Sequence, residues 1–299
     1  MRGLDPPARL PLTIRGNQST MITKRERLEK AYKHLRNLAS GRRGNAVPVF
    51  IFGEQRSGTN MLLDCFRRSP RTATYNETDD DAFVDYELRD LAIIADLVHR
   101  SPASHVVLKP TADGNRASEI LDALPGSRAV WIYRRYQDAV TSALALFRET
   151  SLQYLQKVAT RAPNARWRSI NLSSDDVAMV DTYLRRGISE ASARALIWYI
   201  RNGFYFRLGL DRRKDVMLIN YEELVGSPKA VVAQAFGFVG LDFQDRYVAR
   251  VFGSSVGRRP TPELDPDIVA LCDRMMARLS RRSETAATSA AAITEGLGA

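Results

Sequence analysis

The stretch VFIFGEQRSGTNML, residues 49–62, decides the fold. Its first four residues form an apolar, strand-like run, a polar turn follows from Gly53, and the stretch then resumes as a helix. Gly53 and Gly58 have the spacing of the phosphate-binding loop G-x-x-x-x-G, which joins a strand to a helix. A nucleotide triphosphatase would continue with Lys and Ser or Thr, whereas this chain continues with Thr59 and Asn60. The stretch therefore predicts an anion-binding loop with its cation in a different position.

Arg56, which precedes the second glycine, is the cation of this loop. A strand-to-helix turn points several backbone N–H groups at one spot, where the helix dipole also favours an anion. Ser57, Thr59 and Asn60 can donate hydrogen bonds to the same anion. The strand Ala129–Tyr133 ends in arginine and not in the acid that would help to hold Mg²⁺. The sequence thus predicts a phosphate site without a dedicated place for that ion.

Strand-like runs alternate with helical segments along the chain. The runs are Pro48–Phe52, His105–Leu108, Ala129–Tyr133 and Val216–Asn220, and the helical segments are Thr59–Arg68, Tyr136–Phe147 and Pro228–Val239. This alternation predicts a parallel sheet that is buried on both faces and binds ligands beyond the carboxyl ends of its strands. Arg56, Lys109, Arg134 and Tyr221 all lie at or just after those ends, so we expect them on one rim of the sheet.

Composition limits the kinds of protein that the chain can be. With 299 residues, 44% of them apolar, it can form one large α/β domain or two small ones. Its formal charge of +10 favours an anionic partner (nucleotide, nucleic acid or acidic membrane), or simply reflects a basic surface. Two cysteines form no disulfide framework or metal cluster, and Cys65 is expected in the core. No apolar run reaches the roughly 18 residues of a membrane span, and no signal peptide is evident, so we expect a cytoplasmic protein.

The chain divides into a single domain and two polar ends. We expect a flexible arm at residues 1–20, one domain at 21–282 that opens with an amphipathic helix, and a disordered tail at 283–299. Residues 148–192 are polar and rich in arginine. We interpret them as helices and loops that cover the acceptor site, the alternative being a surface insertion with no role.

Three segments resemble, in the family's order, motifs of the sulfotransferases that use 3′-phosphoadenosine-5′-phosphosulfate. FGEQRSGTN (52–60) is similar to the 5′-phosphosulfate loop, P-[KR]-S-G-T-[TN]. In IYRRYQDAVTSAL (132–144), Arg134, Asp138 and Ser142 have the spacing of the 3′-phosphate motif. NYEELVGSPKAVVAQAFGFVGLD (220–242) resembles the later strand–helix segment. The resemblance implies an α/β, three-layer P-loop-type fold with a mostly parallel central sheet flanked by helices.

The resemblance also implies sulfuryl transfer from that donor to a hydroxyl or, less readily, an amine. The residues that match the 5′-phosphosulfate loop are Arg56, Ser57, Gly58, Thr59 and Asn60. Arg134 and Ser142 match the residues that hold the 3′-phosphate, and Tyr221 matches the one near the adenine. A second basic clamp often lies where this chain has Gly-Arg-Arg at 257–259, which favours Arg258. Guanidinium groups suit phosphate oxygens, and Arg56 and Lys109 would stabilise charge on the leaving group without a metal ion.

The base that accepts the acceptor's proton is predicted to be a carboxylate. One branch of the family has a histidine two residues after a strand-end lysine, but here that residue is Thr111. Other branches use a glutamate after the first helix, which corresponds to Glu77. A strand at Thr72–Tyr75 would bring Glu77 to the rim. The alternative is that NETDDDAF (76–83) begins an acidic helix, and His105 is expected to be structural or exposed.

Two other functions remain open from the residues. One is a Mg-ATP-dependent small-molecule kinase, for which the loop lacks the lysine. The other is a non-catalytic basic protein that binds nucleotide or nucleic acid. As a sulfotransferase, the protein would act on a saccharide or a small metabolite, with no nucleic acid partner and no metal. The surroundings of Glu54 also remain open, because an acid is unfavourable in an anion-binding loop unless it faces outward or pairs with arginine.

Overall fold

The structure is a computed structural model that describes residues 46–146, 150–161, 171–253, 257, 260 and 262–296, together with 32, 33, 35 and 37. The predicted arm at 1–20 and Arg258 lie outside the described residues. So does most of the amphipathic helix predicted from residue 21, although its four described residues are helical. No helix of the described part of the chain combines the length and the apolar character needed to cross a membrane.

Five parallel strands form the central sheet, in the order β2-β5-β1-β6-β7. The bounds of these strands are β1 Val47–Gly53, β2 Thr72–Tyr75, β5 His105–Leu108, β6 Arg128–Tyr133 and β7 Val216–Asn220. A short antiparallel hairpin, β3 Phe83–Val84 and β4 Glu87–Leu88, stands apart from the sheet. The four strand runs expected from the sequence and the Thr72–Tyr75 strand are thus confirmed, and only the ends of β1 and the start of β6 differ from the prediction, each by one residue.

Helices cover both faces of the sheet. They are α1 Thr59–Arg67, α2 Leu91–Arg100, α3 Ala117–Ala123, α4 Tyr136–Leu144, α5 Ser151–Ala159, α6 Ser174–Arg185, α7 Glu190–Arg207, α8 Tyr221–Gly226, α9 Pro228–Val239 and α10 Pro266–Gly296. Successive strand residues point to opposite faces, so β1 places Phe50 in one apolar cluster and Ile51 in the other. The first cluster includes Trp198 of α7, and the second includes Phe66 of α1. The predicted α/β fold, a mostly parallel sheet between two helical layers, is confirmed.

Two segments differ from what their sequence predicts. Residues 77–82, a possible helix start, form turns. Residues 283–296, expected to be disordered, continue helix α10 to Gly296. The second difference has a local cause, because this segment is rich in alanine, the residue with the highest helix propensity. In the 148–192 segment, α5 and α6 agree with the predicted helices, and residues 162–170 lie outside the described part.

Candidate active site

The loop between β1 and α1 requires both of its glycines. Gly53 has φ 145°, and a Cβ there would meet the Ile132 carbonyl oxygen at 2.3 Å. Gly58, the N-cap of α1, has φ 96°, and a Cβ there would lie 2.4 Å from Cδ2 of Tyr221. Arg56 adopts a left-handed φ of 71°, which is uncommon outside glycine. The loop is therefore held in a strained, closely packed shape against β6 and α8.

Three of the predicted phosphate-binding side chains meet beside this loop. Arg134, buried at the end of β6, donates from Nη1 to the Arg56 carbonyl at 3.2 Å, and its guanidinium lies 4.4 Å from the centre of the Tyr221 ring. Arg56 in turn donates from Nε to Ser142 Oγ of α4 at 3.0 Å. The structure thus brings residues predicted for the 5′-phosphosulfate and for the 3′-phosphate into contact with one another.

The arginines of this cluster repel one another. Burial, followed by the positive charge of Arg134, lowers the pKa of Arg56. A lowered arginine pKa means that the charged form is less favourable here than in water, so a bound anion would relieve this cost. The Ser57 hydroxyl is fully buried and has no hydrogen-bond partner among the described residues. Since buried polar atoms are nearly always satisfied in native proteins, this hydroxyl indicates a missing acceptor in the loop.

The remaining predicted loop and clamp residues have distinct surroundings. Thr59 is buried in the first turn of α1, whereas the next residue, Asn60, is exposed. Gly257, in the predicted second clamp, donates its backbone N–H to Asp138 Oδ1 of α4 at 3.1 Å. The Gly-Arg-Arg segment is therefore tied to the predicted 3′-phosphate motif at its glycine.

Glu77 and Lys109 form an ion pair at the neighbouring strand ends. Strands β2 and β5 are paired with Tyr75 opposite Leu108, so Glu77 and Lys109 emerge side by side beyond the sheet. Lys109 Nζ also lies 3.3 Å from Thr111 Oγ1, and its side chain is only 4% exposed, while that of Glu77 is 18% exposed. The predicted base and the predicted second cation are thus partners in this structure.

A tight turn holds Glu77 in place. Asn76 Oδ1 accepts hydrogen bonds from the Thr78 N–H at 2.8 Å and from its hydroxyl at 2.6 Å, and Asp79 Oδ2 accepts from the Asn76 N–H at 2.8 Å. The alternative interpretation of this segment as a helix start is wrong, because these side chains cap a turn. Two acids of the segment therefore have different surroundings, with Asp79 buried in the turn and Glu77 at the rim.

Glu54, which the sequence left open, pairs with arginine in the interior. It is 1% exposed, and its Oε1 accepts a hydrogen bond of 2.5 Å from Arg194 Nη2. Its Oε2 forms an ion pair with Arg201 Nε. The two atoms are close, but their geometry is not that of a hydrogen bond. Both arginines belong to α7, and neither was predicted from the sequence to be a site residue. The signal in the sequence is a pair of arginines seven residues apart in the mostly apolar run 193–206.

Helix α7 contributes a third contact to the rim. Trp198, four residues after Arg194, donates from Nε1 to the Arg134 carbonyl at 3.0 Å.

Histidine has no part at the rim of the described structure. His105 is buried at the start of β5, with Nε2 2.8 Å from the Val239 carbonyl oxygen, as expected of a structural residue.

The hairpin β3–β4 borders the same end of the sheet. Asp113, in the turn after Lys109, accepts a hydrogen bond of 2.9 Å from the Leu88 N–H, and burial raises the pKa of this carboxyl to about 6. At the hairpin tip, Val84 and Tyr86 are more than half exposed. Nowhere in the described residues do three His, Cys, Asp or Glu side chains group as a metal site requires.

Comparison with known proteins gives only loose likenesses. No protein-family model matches the sequence, and no curated protein matches it significantly. The chain is similar to a sulfotransferase from Alicyclobacillus acidocaldarius, with 17% identity, 82% of this chain and 95% of that chain covered, and a TM-score of 0.44. The sulfotransferase domain from the curacin biosynthetic pathway is 13% identical, with 80% of this chain and 99% of that chain covered and a TM-score of 0.46. Mouse sulfotransferase SULT7A1, complexed with PAP, is 16% identical, with 79% of this chain and 72% of that chain covered and a TM-score of 0.38.

Proposed function

We propose that this protein transfers a sulfuryl group from 3′-phosphoadenosine-5′-phosphosulfate to a hydroxyl, or less readily to an amine, of an acceptor. One observation carries the proposal: the Arg-Ser-Gly-Thr loop packs against Arg134, Ser142 and Tyr221, and the Glu77–Lys109 pair lies at the neighbouring strand ends. An anion site, a carboxylate that can accept a proton and cations that can stabilise a leaving oxygen suit transfer between oxygens without a metal ion.

The residues of the loop fit the phosphosulfate end of such a donor. The buried Ser57 hydroxyl has no acceptor in the described structure, and the Arg56 guanidinium lies among like charges. Phosphate oxygens would satisfy the hydroxyl and offset the repulsion. Arg134 and Ser142 would hold the 3′-phosphate, with Tyr221 near the adenine. Arg258, outside the described residues, stays a proposed clamp next to Gly257.

The chemistry follows from charges at the rim. When bound, the donor supplies a sulfuryl group whose bond to the phosphate oxygen breaks as a bond to the acceptor oxygen forms. Arg56 and Lys109 would stabilise the negative charge that grows on the phosphate oxygen. Glu77 would take the proton of the acceptor hydroxyl, since it is the partly exposed member of its ion pair. The acceptor would then lie over Glu77, and we infer a saccharide or small metabolite.

The kinase alternative is less well supported by the same residues. A P-loop kinase needs a lysine after the second glycine and an acid at a strand end near Mg²⁺. This chain has Thr59 and Asn60 after Gly58, and β6 is followed by Arg134. A non-catalytic binding protein would not need a carboxylate paired with a buried lysine at the rim. Each alternative predicts a different ligand.

Calorimetric titration separates the three functions. We expect adenosine 3′,5′-bisphosphate to bind in the presence of EDTA about 10–100-fold more tightly than adenosine 5′-monophosphate, because one charged phosphate contact contributes roughly 1.5–3 kcal/mol. Magnesium-dependent ATP turnover without bisphosphate binding would instead indicate a kinase. Binding of nucleic acid that weakens steeply with salt, again without bisphosphate binding, would indicate the third function.

Replacing Gly58 by Ala is expected to abolish bisphosphate binding, because the new Cβ would overlap the Tyr221 ring at 2.4 Å and φ 96° is unfavourable for alanine. The measurement is the dissociation constant of adenosine 3′,5′-bisphosphate. Gly126→Ala is the matched control, since Gly126 also has a positive φ, 82°, but no atom lies within 4 Å of its added Cβ. Equal affinities in the two variants would contradict the packed loop.

A further inference from the structure

One face of helix α7 contacts the ends of three sheet strands. Arg194, Trp198 and Arg201 follow one another at helical spacing of four and three residues, so they share this face. Arg194 and Arg201 hold Glu54 after β1, and Trp198 holds the Arg134 carbonyl after β6. Arg201 reaches further, and donates from Nη2 to the Thr111 carbonyl after β5. The helix thus contacts the residues that follow β1, β5 and β6, through a side-chain carboxylate at β1 and through backbone carbonyls at β5 and β6.

Arg201 is the residue that joins two of these ends. Its Nε faces the Glu54 carboxylate, two residues before Arg56, while its Nη2 bonds the Thr111 carbonyl, two residues after Lys109. The planar guanidinium fixes both directions at once, which an ammonium group cannot do. Burial on its own would lower the pKa of Arg201, but Glu54 and the Tyr154 hydroxyl raise it above its usual value.

Stability alone is a weak reason for this arrangement. Burying an arginine–glutamate–arginine cluster costs desolvation energy that an apolar cluster would avoid, and such clusters are often no more stable than apolar replacements. One carboxylate facing two guanidiniums also leaves an excess positive charge beneath the anion-binding loop. Both features are useful if the loop must be held in one position and must attract a polyanion.

We propose that Arg201 is a positioning residue of the donor site, which fixes the loop that carries Arg56 relative to the segment that carries Lys109 by bridging Glu54 to the Thr111 carbonyl. This inference rests on the proposed function, since the ligand to be positioned is the phosphosulfate donor. It gives Glu54 a role as the anchor through which the loop is held, and it makes neither residue a contact of the donor.

The test compares two arginines of the same helix. Arg207 also pairs with a carboxylate, Asp176 at 3.0 Å, and donates to a backbone carbonyl, Ile200 at 2.7 Å, but it does so on α6 and α7, away from the rim. Arg201→Lys and Arg207→Lys keep the charge and lose the fork in both cases. We measure the melting temperature of each variant and its dissociation constant for adenosine 3′,5′-bisphosphate at 25 °C.

We expect Arg201→Lys to weaken bisphosphate binding by roughly tenfold or more, as misplacement of binding groups does, while Arg207→Lys stays within about twofold of the unaltered protein. Glu54→Gln should weaken binding similarly. The double variant should bind less weakly than the product of the two single fold-losses in affinity predicts, because Glu54→Gln and Arg201→Lys both break the same bridge. If Arg201→Lys does not fold, Glu54→Gln carries the test.

Equal affinities for Arg201→Lys and Arg207→Lys, with similar losses of melting temperature, would show a purely structural role and overturn this inference alone. A loss of affinity in the double variant equal to the product of the two single losses would also overturn the positioning role of Arg201, because the two residues would then act separately. Absence of bisphosphate binding by the unaltered protein would overturn the proposed function together with the inference.

Discussion

Glu77→Gln is expected to slow sulfuryl transfer by about 10²–10⁴-fold, the range for loss of a general base, and to change the affinity for adenosine 3′,5′-bisphosphate little. Glutamine is close to glutamate in shape and keeps an oxygen that can accept from Lys109, but it cannot take a proton from an acceptor hydroxyl. The carboxylate lies at the rim beside the proposed anion site, so its loss should affect the chemical step and not donor binding.

The measurement is single-turnover formation of adenosine 3′,5′-bisphosphate with any acceptor that the unaltered protein uses. Glu87→Gln is the matched control, since it makes the same change of residue type on β4, in the hairpin that follows the turn of Glu77, and the ion pair between Glu77 and Lys109 stays intact. Removing the Glu77 charge leaves the buried Lys109 ammonium without a carboxylate, and the melting temperature should therefore fall. Normal turnover in folded Glu77→Gln would exclude Glu77 as the base.

Arg134→Ala is expected to weaken binding of adenosine 3′,5′-bisphosphate by about 100-fold, the upper end for one charged phosphate contact of roughly 3 kcal/mol. Three losses add in the same direction. The guanidinium that would bind the 3′-phosphate is lost, and so is the hydrogen bond that it donates to the Arg56 carbonyl in the loop. The Tyr221 ring also loses the cation stacked 4.4 Å from its centre.

The choice of ligand makes this second experiment specific. Because Arg134 is proposed to hold the 3′-phosphate, Arg134→Ala should weaken the bisphosphate more than adenosine 5′-monophosphate. Arg134→Lys should bind the bisphosphate with an affinity between those of the unaltered protein and Arg134→Ala, since it keeps the charge and loses the bidentate fork. Arg135→Ala serves as the control, because the neighbouring side chain is exposed. Equal weakening of both nucleotides would contradict the assignment of Arg134 to the 3′-phosphate.

The rim of the sheet was predictable because strand ends follow a general rule. Apolar runs mark buried strands, and in parallel sheets the residues after them meet at one edge. Arg56, Lys109 and Arg134 needed no further information to be placed together. The pairing of Glu77 with Lys109 was also within reach of the sequence, because a strand at Thr72–Tyr75 beside His105–Leu108 brings the two residues to the same place.

The surroundings of Glu54 were not predictable in the same way. Its hydrogen-bonding partner Arg194 lies 140 residues further along the chain, in a helix whose apolar pattern only indicates burial. Nothing in the local sequence says which buried carboxylate a buried arginine will meet. The turn at Asn76 was missed for a different reason, since acids and Thr at a segment start favour a helix cap and a side-chain-capped turn alike.

The strand order has a consequence for how the protein reaches its native state. Strand β1 pairs with β5 and β6, and no neighbouring strands of the sheet are joined by a short hairpin. The contacts of the Arg56 loop with Arg134 and Ser142 span 78 and 86 residues, and its packing on Tyr221 spans still more of the chain. Such long-range contacts are slow to form. We therefore expect the Arg56 loop, although it lies early in the chain, to reach its final shape only after β7 has joined the sheet and Tyr221 can pack on Gly58.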